Sequence, residues 1–207
     1  MEILDLHNPE SLATAQRLIE KYGEDYNTFF YRPGFDEFIR KEILPYLATG
    51  HNPYLGFLDN NHWKDKNPYN FPGPFYTAYS DTCGTGVVEA PSNVLDDEQH
   101  MEFIFKQPSD YRELVGVLDA AAVEVLDSHS SNGNEYWTVQ LCREWWQDRA
   151  EMIRKLTSQK SVEINGPDSI DRYLFYMNTN AEADLRTYCY FLDNGHHPAP
   201  GQILPEL

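Results

Sequence analysis

The chain has 207 residues, of which 33 are acidic and 16 are basic, so its formal net charge at pH 7 is −17. A protein that binds nucleic acid by neutralising phosphates needs an excess of Lys and Arg, and anionic membranes attract basic segments, so the charge argues against nucleic-acid and membrane partners. Hydrophobic residues make up 41% of the chain, which favours a folded domain over disorder.

Two helices are predicted near the N-terminus. The first begins at Pro9, which suits the first turn of a helix, and ends near Gly23. The second runs from about Phe35 to Ala48, where apolar residues recur at helical spacing. Pro45 is expected to bend this second helix or to end it early.

Residues 51–82 are predicted to form a long aromatic loop rich in Pro and Gly. Proline, glycine and asparagine punctuate the stretch and favour turns. It also contains these aromatic residues: Tyr54, Phe57, Trp63, Tyr69, Phe71, Phe75, Tyr76 and Tyr79. We expect such a loop to be packed by its own side chains, and long ordered loops are often functional.

An antiparallel hairpin and a third helix are predicted next. Gly86–Pro91 is a short strand candidate, and Glu102–Lys106 alternates as a half-buried strand does. The turn-rich piece Ser92–His100 between them closes the hairpin. The third helix is predicted from about Ser109 to Leu126.

The C-terminal part is predicted to be helical. Thr138 is a good N-cap for a helix that continues to about Ser158. A further helix is predicted over residues 169–177, and a last one runs from a cap at Asn180 to Gly195.

Together these elements indicate an α+β fold, a helix-dominated single domain over residues 1–207 with a small antiparallel sheet and the long aromatic loop. Residues 1–100 carry 16 acidic and 7 basic side chains, and residues 101–207 carry 17 and 9, so the acidity belongs to the whole surface and not to a tail.

The three cysteines, Cys83, Cys142 and Cys189, are odd in number and far apart in the sequence. Their spacing indicates neither a disulfide framework nor a zinc site. Together with an N-terminus that does not resemble a signal peptide, it predicts a cytoplasmic location.

A possible catalytic site surrounds Cys83. Glycines on its C-terminal side would let a substrate approach backbone N–H groups, Asp81 lies two residues before it, and His62 or His100 could act as the base. The competing interpretation is a buried structural cysteine at a glycine turn, because no motif specifies the base and nearby carboxylates raise the pKa of a thiol.

Neither a cofactor nor a metal is expected. The glycines after Cys83 do not form a dinucleotide fingerprint, and no Walker motif is present. Asp96, Asp97, Glu98 and His100 could supply ligands, but they lack the order of a calcium loop and are more typical of a solvated acidic turn.

The residues predicted to contact a partner are acidic or aromatic: Trp63, Tyr76, Asp96, Asp97 and Glu98. Aromatic anchors are typical of protein interfaces. Trp145 and Trp146 are adjacent on a predicted helix, so one is expected in the core and the other either in the core or at a contact surface.

The middle of the chain, about residues 68–150, resembles a family of uncharacterised bacterial proteins. The resemblance rests on the following residues: Phe71–Tyr76, Asp81, Cys83, Thr85–Gly86, Glu89–Pro91, Gly133–Thr138 and Trp145–Trp146. That family has no assigned activity, so the resemblance implies no catalytic residues. In size, acidity and lack of a catalytic motif, the chain is also similar in type to cytoplasmic immunity proteins of bacterial toxin systems.

Three functions stay open at this point. The favoured one is an acidic binding protein, such as an immunity-type inhibitor of a basic nuclease toxin, because complementary charge speeds association. The second is a small hydrolase or transferase that uses Asp81, Cys83 and His100 or His62. The third is a structural adaptor. The sequence leaves the oligomeric state open.

Overall fold

Helices dominate the computed structural model, which describes residues 9–48, 58 and 61–207, and its strands form two short antiparallel pairs. This architecture confirms the predicted α+β class. The helices are α1 (Pro9–Tyr22), α2 (Tyr26–Phe30), α3 (Phe35–Phe38), α4 (Leu44–Leu47), α5 (Thr85–Glu89), α6 (Tyr111–Val123), α7 (Val139–Gln147), α8 (Arg149–Leu156), α9 (Gln159–Asn165), α10 (Pro167–Thr179) and α11 (Ala181–Asn194). The strands are β1 (Tyr76–Thr77), β2 (Val94–Asp96), β3 (Glu102–Ile104) and β4 (His129–Ser130).

The N-terminal helices largely follow the sequence. Helix α1 has the predicted extent. A π-helical stretch, Ile39–Ile43, connects α3 and α4 without a break in the helix. Pro45 supplies a reason for the widened turn, since it has no N–H to donate to the carbonyl one turn earlier. Helix α2 was not predicted; Asp25 caps it by accepting a hydrogen bond from the Thr28 N–H.

The predicted strand Gly86–Pro91 is wrong, because this stretch begins with helix α5. The Gly86 N–H donates to the buried Glu102 carboxylate over 2.8 Å, and α5 packs along α6. The hairpin partner of β3 is instead β2, with Val94 opposite Ile104. The predicted second strand is confirmed over Glu102–Ile104, but the first strand of the hairpin lies within the stretch Ser92–His100 that was predicted as its turn.

Helix α6 ends at Val123 and not at Leu126. Glu124 turns into an extended conformation and its carboxylate accepts hydrogen bonds from the N–H groups of Asp81, Leu126 and Ser128. Because the chain leaves the helix here, Val125 and Leu126, which were predicted within the helix, are exposed.

The C-terminal helices are confirmed in position and differ in detail. Thr138 caps α7 by accepting from the Leu141 N–H, but the predicted long helix is divided at Asp148 into α7 and α8. Helix α9 was not predicted, and Asn180 precedes α11 without forming a side-chain cap.

Two clusters of buried side chains form the core. The first involves α1 to α6, the second involves α7, α8, α10 and α11, and the hairpin contributes side chains to both. Tyr31 packs against both clusters. Trp145 is buried in the second cluster and Trp146 lies at its edge, which settles the alternatives left open for this pair.

The second cluster also contains two cysteines that the sequence spacing gave no reason to associate. Cys142 on α7 and Cys189 on α11 are buried free thiols in contact with each other. The hydrogen bond between them and burial raise the pKa of the Cys142 thiol.

Two side-chain amides organise the described part of the aromatic loop; residues 51–57, 59 and 60 lie outside the described residues. Asn70, fully buried, donates to the carbonyls of Asn67 and Thr77 and accepts from the N–H groups of Thr77 and Ile104, all within 3.1 Å. Gln107 donates to the carbonyls of Phe71 and Phe75 and accepts from the Phe75 N–H.

Asn70→Ala should lower the free energy of unfolding by about 3–5 kcal/mol, because buried N–H groups of Thr77 and Ile104 lose their acceptor. Asn194→Ala, which removes one exposed amide on α11, is the matched control and should cost about 0.5 kcal/mol or less. Urea unfolding measures both. Equal, small losses would contradict the anchoring role.

Gly133→Ala should cost about 3 kcal/mol, because a Cβ there would lie 2.1 Å from the Gly73 carbonyl oxygen, a backbone atom that cannot turn away. Glu135→Ala, at an exposed position two residues further on, should leave stability nearly unchanged. A shift in the urea midpoint for both variants alike would argue against the steric explanation.

Candidate functional site

An exposed apolar patch lies where the end of the aromatic loop meets the end of α6. We define the apolar patch by its exposed members: Tyr79 (68% exposed), Val88 (74%), Val123 (41%), Val125 (77%) and Leu126 (59%). Exposed groups of large apolar residues mark interaction surfaces more often than isolated ones do.

Backbone and side-chain hydrogen bonds hold these segments together. The Ala78 N–H donates to the Ser128 carbonyl, and the Asp81 N–H donates to the Glu124 carboxylate. The Asp81 carboxylate in turn accepts from the Val125 N–H. Helix α5 begins four residues after Asp81 and packs along α6, where the Glu89 carbonyl lies near Gly116. Val88 therefore lies on a helix that packs against α6.

The chain segments that build this patch contain no Lys or Arg. Residues 67–105 and 113–142 are both free of basic residues, whereas they carry six and five acidic ones. The sequence itself shows this pattern. It appears when the distances between successive Lys and Arg residues are compared, and it is hidden when charges are counted over the two halves of the chain. These two stretches therefore contribute acidic side chains and no Lys or Arg to the surface, which makes its potential more negative.

Four carboxylates lie under the loop at the start of this surface: Asp81, Asp96, Glu102 and Glu124. Glu102 is fully buried; one of its carboxylate oxygens accepts from Gly86 and the other has no hydrogen-bond partner. Burial raises its pKa to about 7, the Gly86 hydrogen bond opposes this, and the neighbouring carboxylates add to it.

A buried histidine on β4 lies on the same side of the loop. His129 is 1% exposed, and neither ring nitrogen has a hydrogen-bond partner. Burial lowers its pKa to about 4, although the charges of Glu124 and Asp81 oppose this effect. Its imidazole is therefore neutral at pH 7, so it does not offset the negative charge of the cluster.

The residues of the predicted catalytic alternative do not assemble around the thiol. Cys83 is exposed, which corrects the expectation of a buried structural cysteine. A hydrogen bond to Asp81 and the charge of that carboxylate raise the pKa of the Cys83 thiol. His100 lies in the hairpin turn near Asp96, and His62 lies near His129.

The expected base is therefore absent from Cys83: among the described residues, no histidine hydrogen-bonds to this thiol. A thiol with a raised pKa holds its proton at neutral pH and is a weak nucleophile. This environment argues against the catalytic alternative.

The acidic turn predicted as a partner contact is used mostly to close the hairpin. Asp97 is buried and accepts from the N–H groups of Gln99 and Met101 and from the Asn67 side chain. Asp96 is buried as well. The structure therefore does not offer these two carboxylates to a partner, and only Glu98, which accepts from Ser158, is partly exposed.

The two predicted aromatic contacts lie in one aromatic cluster. Trp63 is half-buried and stacks on Tyr136 with 5.1 Å between ring centroids. Tyr76 is fully buried beneath it, donates its hydroxyl to Asn132, and has a pKa raised to about 12 by burial. Tyr76 is therefore a core residue, and Trp63 keeps only part of its surface available.

Within residues 9–48, 58 and 61–207, no group of three or more His, Cys, Asp or Glu side chains is arranged to hold a metal ion. No helix in this same part of the chain has the length and apolar composition needed to cross a bilayer.

Comparison with known proteins gives no relative from which a function can be transferred. No protein-family model, no curated protein and no solved structure matches the chain. The two resemblances drawn from the sequence therefore stay predictions.

Glu102→Gln should change the pH dependence of stability. The folded state holds the Glu102 proton up to about pH 7, whereas an unfolded glutamate loses it near 4.5. Rising pH therefore removes stability from the wild type, by up to about 3 kcal/mol, and Gln escapes this loss.

We expect the stability of the variant relative to wild type to rise by about 2–3 kcal/mol between about pH 5 and about pH 8. Urea unfolding of both proteins at each pH measures it, and the difference cancels the opposite contribution of His129. Glu42→Gln, at an exposed position, should show no such change. A pH-independent difference for Glu102→Gln would contradict the buried proton.

Proposed function

We propose that the protein is an acidic binding protein whose apolar patch docks on a basic protein, and that it acts as an immunity-type inhibitor of a nuclease toxin. The observation that carries the proposal is the placement of five exposed apolar side chains on segments that contain no Lys or Arg. Apolar contacts stabilise a complex, while complementary charge steers its formation.

The partner's chemistry follows from this surface. A net charge of −17 repels nucleic acid and other acidic proteins and attracts a basic surface. Nucleases carry basic surfaces because their substrate is a polyanion. The proposal places the protein in the cytoplasm, in agreement with its three free thiols.

The proposal is tested by capture from the native host with wild-type and variant chains, followed by identification of the partner and an assay of its activity. Val125→Ser/Leu126→Ser removes two members of the apolar patch. Phe175→Ser/Ile203→Ser removes two equally exposed apolar side chains from α10 and the C-terminal segment, and is the matched control.

We expect the wild type and the control to bind a basic protein, and the patch variant to bind it at least about tenfold more weakly. Added salt should slow association, and the purified chain should inhibit the partner's nuclease activity. An acidic partner, a salt-independent association rate or equal loss in both variants would overturn the docking surface. A partner whose activity is unchanged by binding would favour the adaptor function.

A further inference from the structure

A cavity lies where the two hydrophobic clusters meet, on elements separate from the apolar patch. Its volume is about 240 Å³. Drug-sized ligands occupy cavities of about 300–1,000 Å³, so this one suits a smaller molecule. Helix α2, the aromatic loop, residues 107–109, α10 and α11 contribute its walls.

Six phenylalanine and tyrosine residues contribute to the wall, alongside polar side chains: Tyr26, Phe30, Tyr31, Phe71, Tyr176 and Tyr188. The face of an aromatic ring carries partial negative charge and attracts cations, and several rings around one space form the cages that hold quaternary ammonium groups. An apolar ligand would also fit such a wall, so the charged groups decide between the two.

The lining contains one carboxylate, that of Asp184 near the start of α11. Burial raises the pKa of this carboxyl, and the Tyr176 hydroxyl donates to it. In the described part of the chain, no Lys or Arg pairs with Asp184, and Lys106, which is close enough to influence it, is held by Glu113 at 2.5 Å.

The other polar groups of the cavity do not supply a positive charge. No Lys or Arg is among the lining residues, and burial lowers the pKa of His197. The Tyr26 hydroxyl is buried without a hydrogen-bond partner. The charges of Glu113 and Asp110 add to burial in raising the pKa of Tyr26, so the field at this hydroxyl is negative.

We propose that this cavity binds a small organic cation, an alkylammonium compound, with the tyrosine and phenylalanine rings around its charged group and the Asp184 carboxylate as its counter-ion. The Tyr26 hydroxyl offers a hydrogen bond to a polar substituent of the ligand. This site is independent of the proposed docking surface, because none of the apolar-patch residues lines it.

Titration calorimetry with choline and with its neutral isostere 3,3-dimethyl-1-butanol tests the proposal, since the two differ in charge and hardly in shape. We expect choline to bind at least about tenfold more tightly than the neutral isostere. Equal affinity for the two would show an apolar cavity without preference for a cation, and no heat with choline, tetramethylammonium or putrescine would also overturn the proposal.

Variants identify the counter-ion. Asp184→Asn should weaken choline binding at least about tenfold and leave binding of the neutral isostere unchanged. Asp193→Asn, at an exposed position on the same helix, is the matched control and should bind as wild type does. The comparison of the two ligands on the wild-type chain keeps the test decisive even if Asp184→Asn fails to fold.

Discussion

The tertiary structure depends on the way two side-chain amides, the buried Asn70 and the partly buried Gln107, satisfy the backbone of an irregular segment. Residues 67–77 contain too many prolines and turns to pair with a strand along their length, yet Phe71, Phe75 and Tyr76 are buried. Buried N–H and C=O groups without partners are costly. Asn70 and Gln107 supply those partners, and this allows Phe75 to enter the first hydrophobic cluster and Phe71 the second.

The apolar patch and the aromatic cavity both adjoin this anchored segment. On one side the chain continues through β1 to Tyr79 and then to Asp81, whose N–H donates to the Glu124 carboxylate at the end of α6. The Gly86 N–H, a few residues later, donates to the Glu102 carboxylate. On the other side Phe71 and Gln107 line the aromatic cavity. Asn70 also accepts from the Ile104 N–H on β3, and Gln107, which follows the hairpin, donates to the Phe71 carbonyl in the loop, so the hairpin and the loop are positioned together.

The sequence predicted elements well where local signals agreed and poorly where a distant contact decided. The periodicity of α1 and α11, the glycines at their C-terminal ends and the N-cap at Thr138 were sufficient. The apolar run after Gly86 predicts a strand, but its packing on α6 and the Gly86–Glu102 hydrogen bond favour a helix. Distant contacts also decided the candidate site. Asp96, Asp97 and Tyr76 are predicted at the surface, but hairpin closure and core packing bury them.

The sequence by itself determined the properties that are sums over residues or short-range patterns: the net charge of −17, the helix-dominated α+β class and the stretches without Lys or Arg. Only the tertiary structure decided which carboxylates are buried, that Cys142 meets Cys189, that Val125 and Leu126 are exposed, and that rings from α2 and α11 surround one cavity. The reason is physical. Charge and periodicity are carried by neighbouring residues, whereas burial, pKa and cavities arise from contacts between residues far apart in the chain.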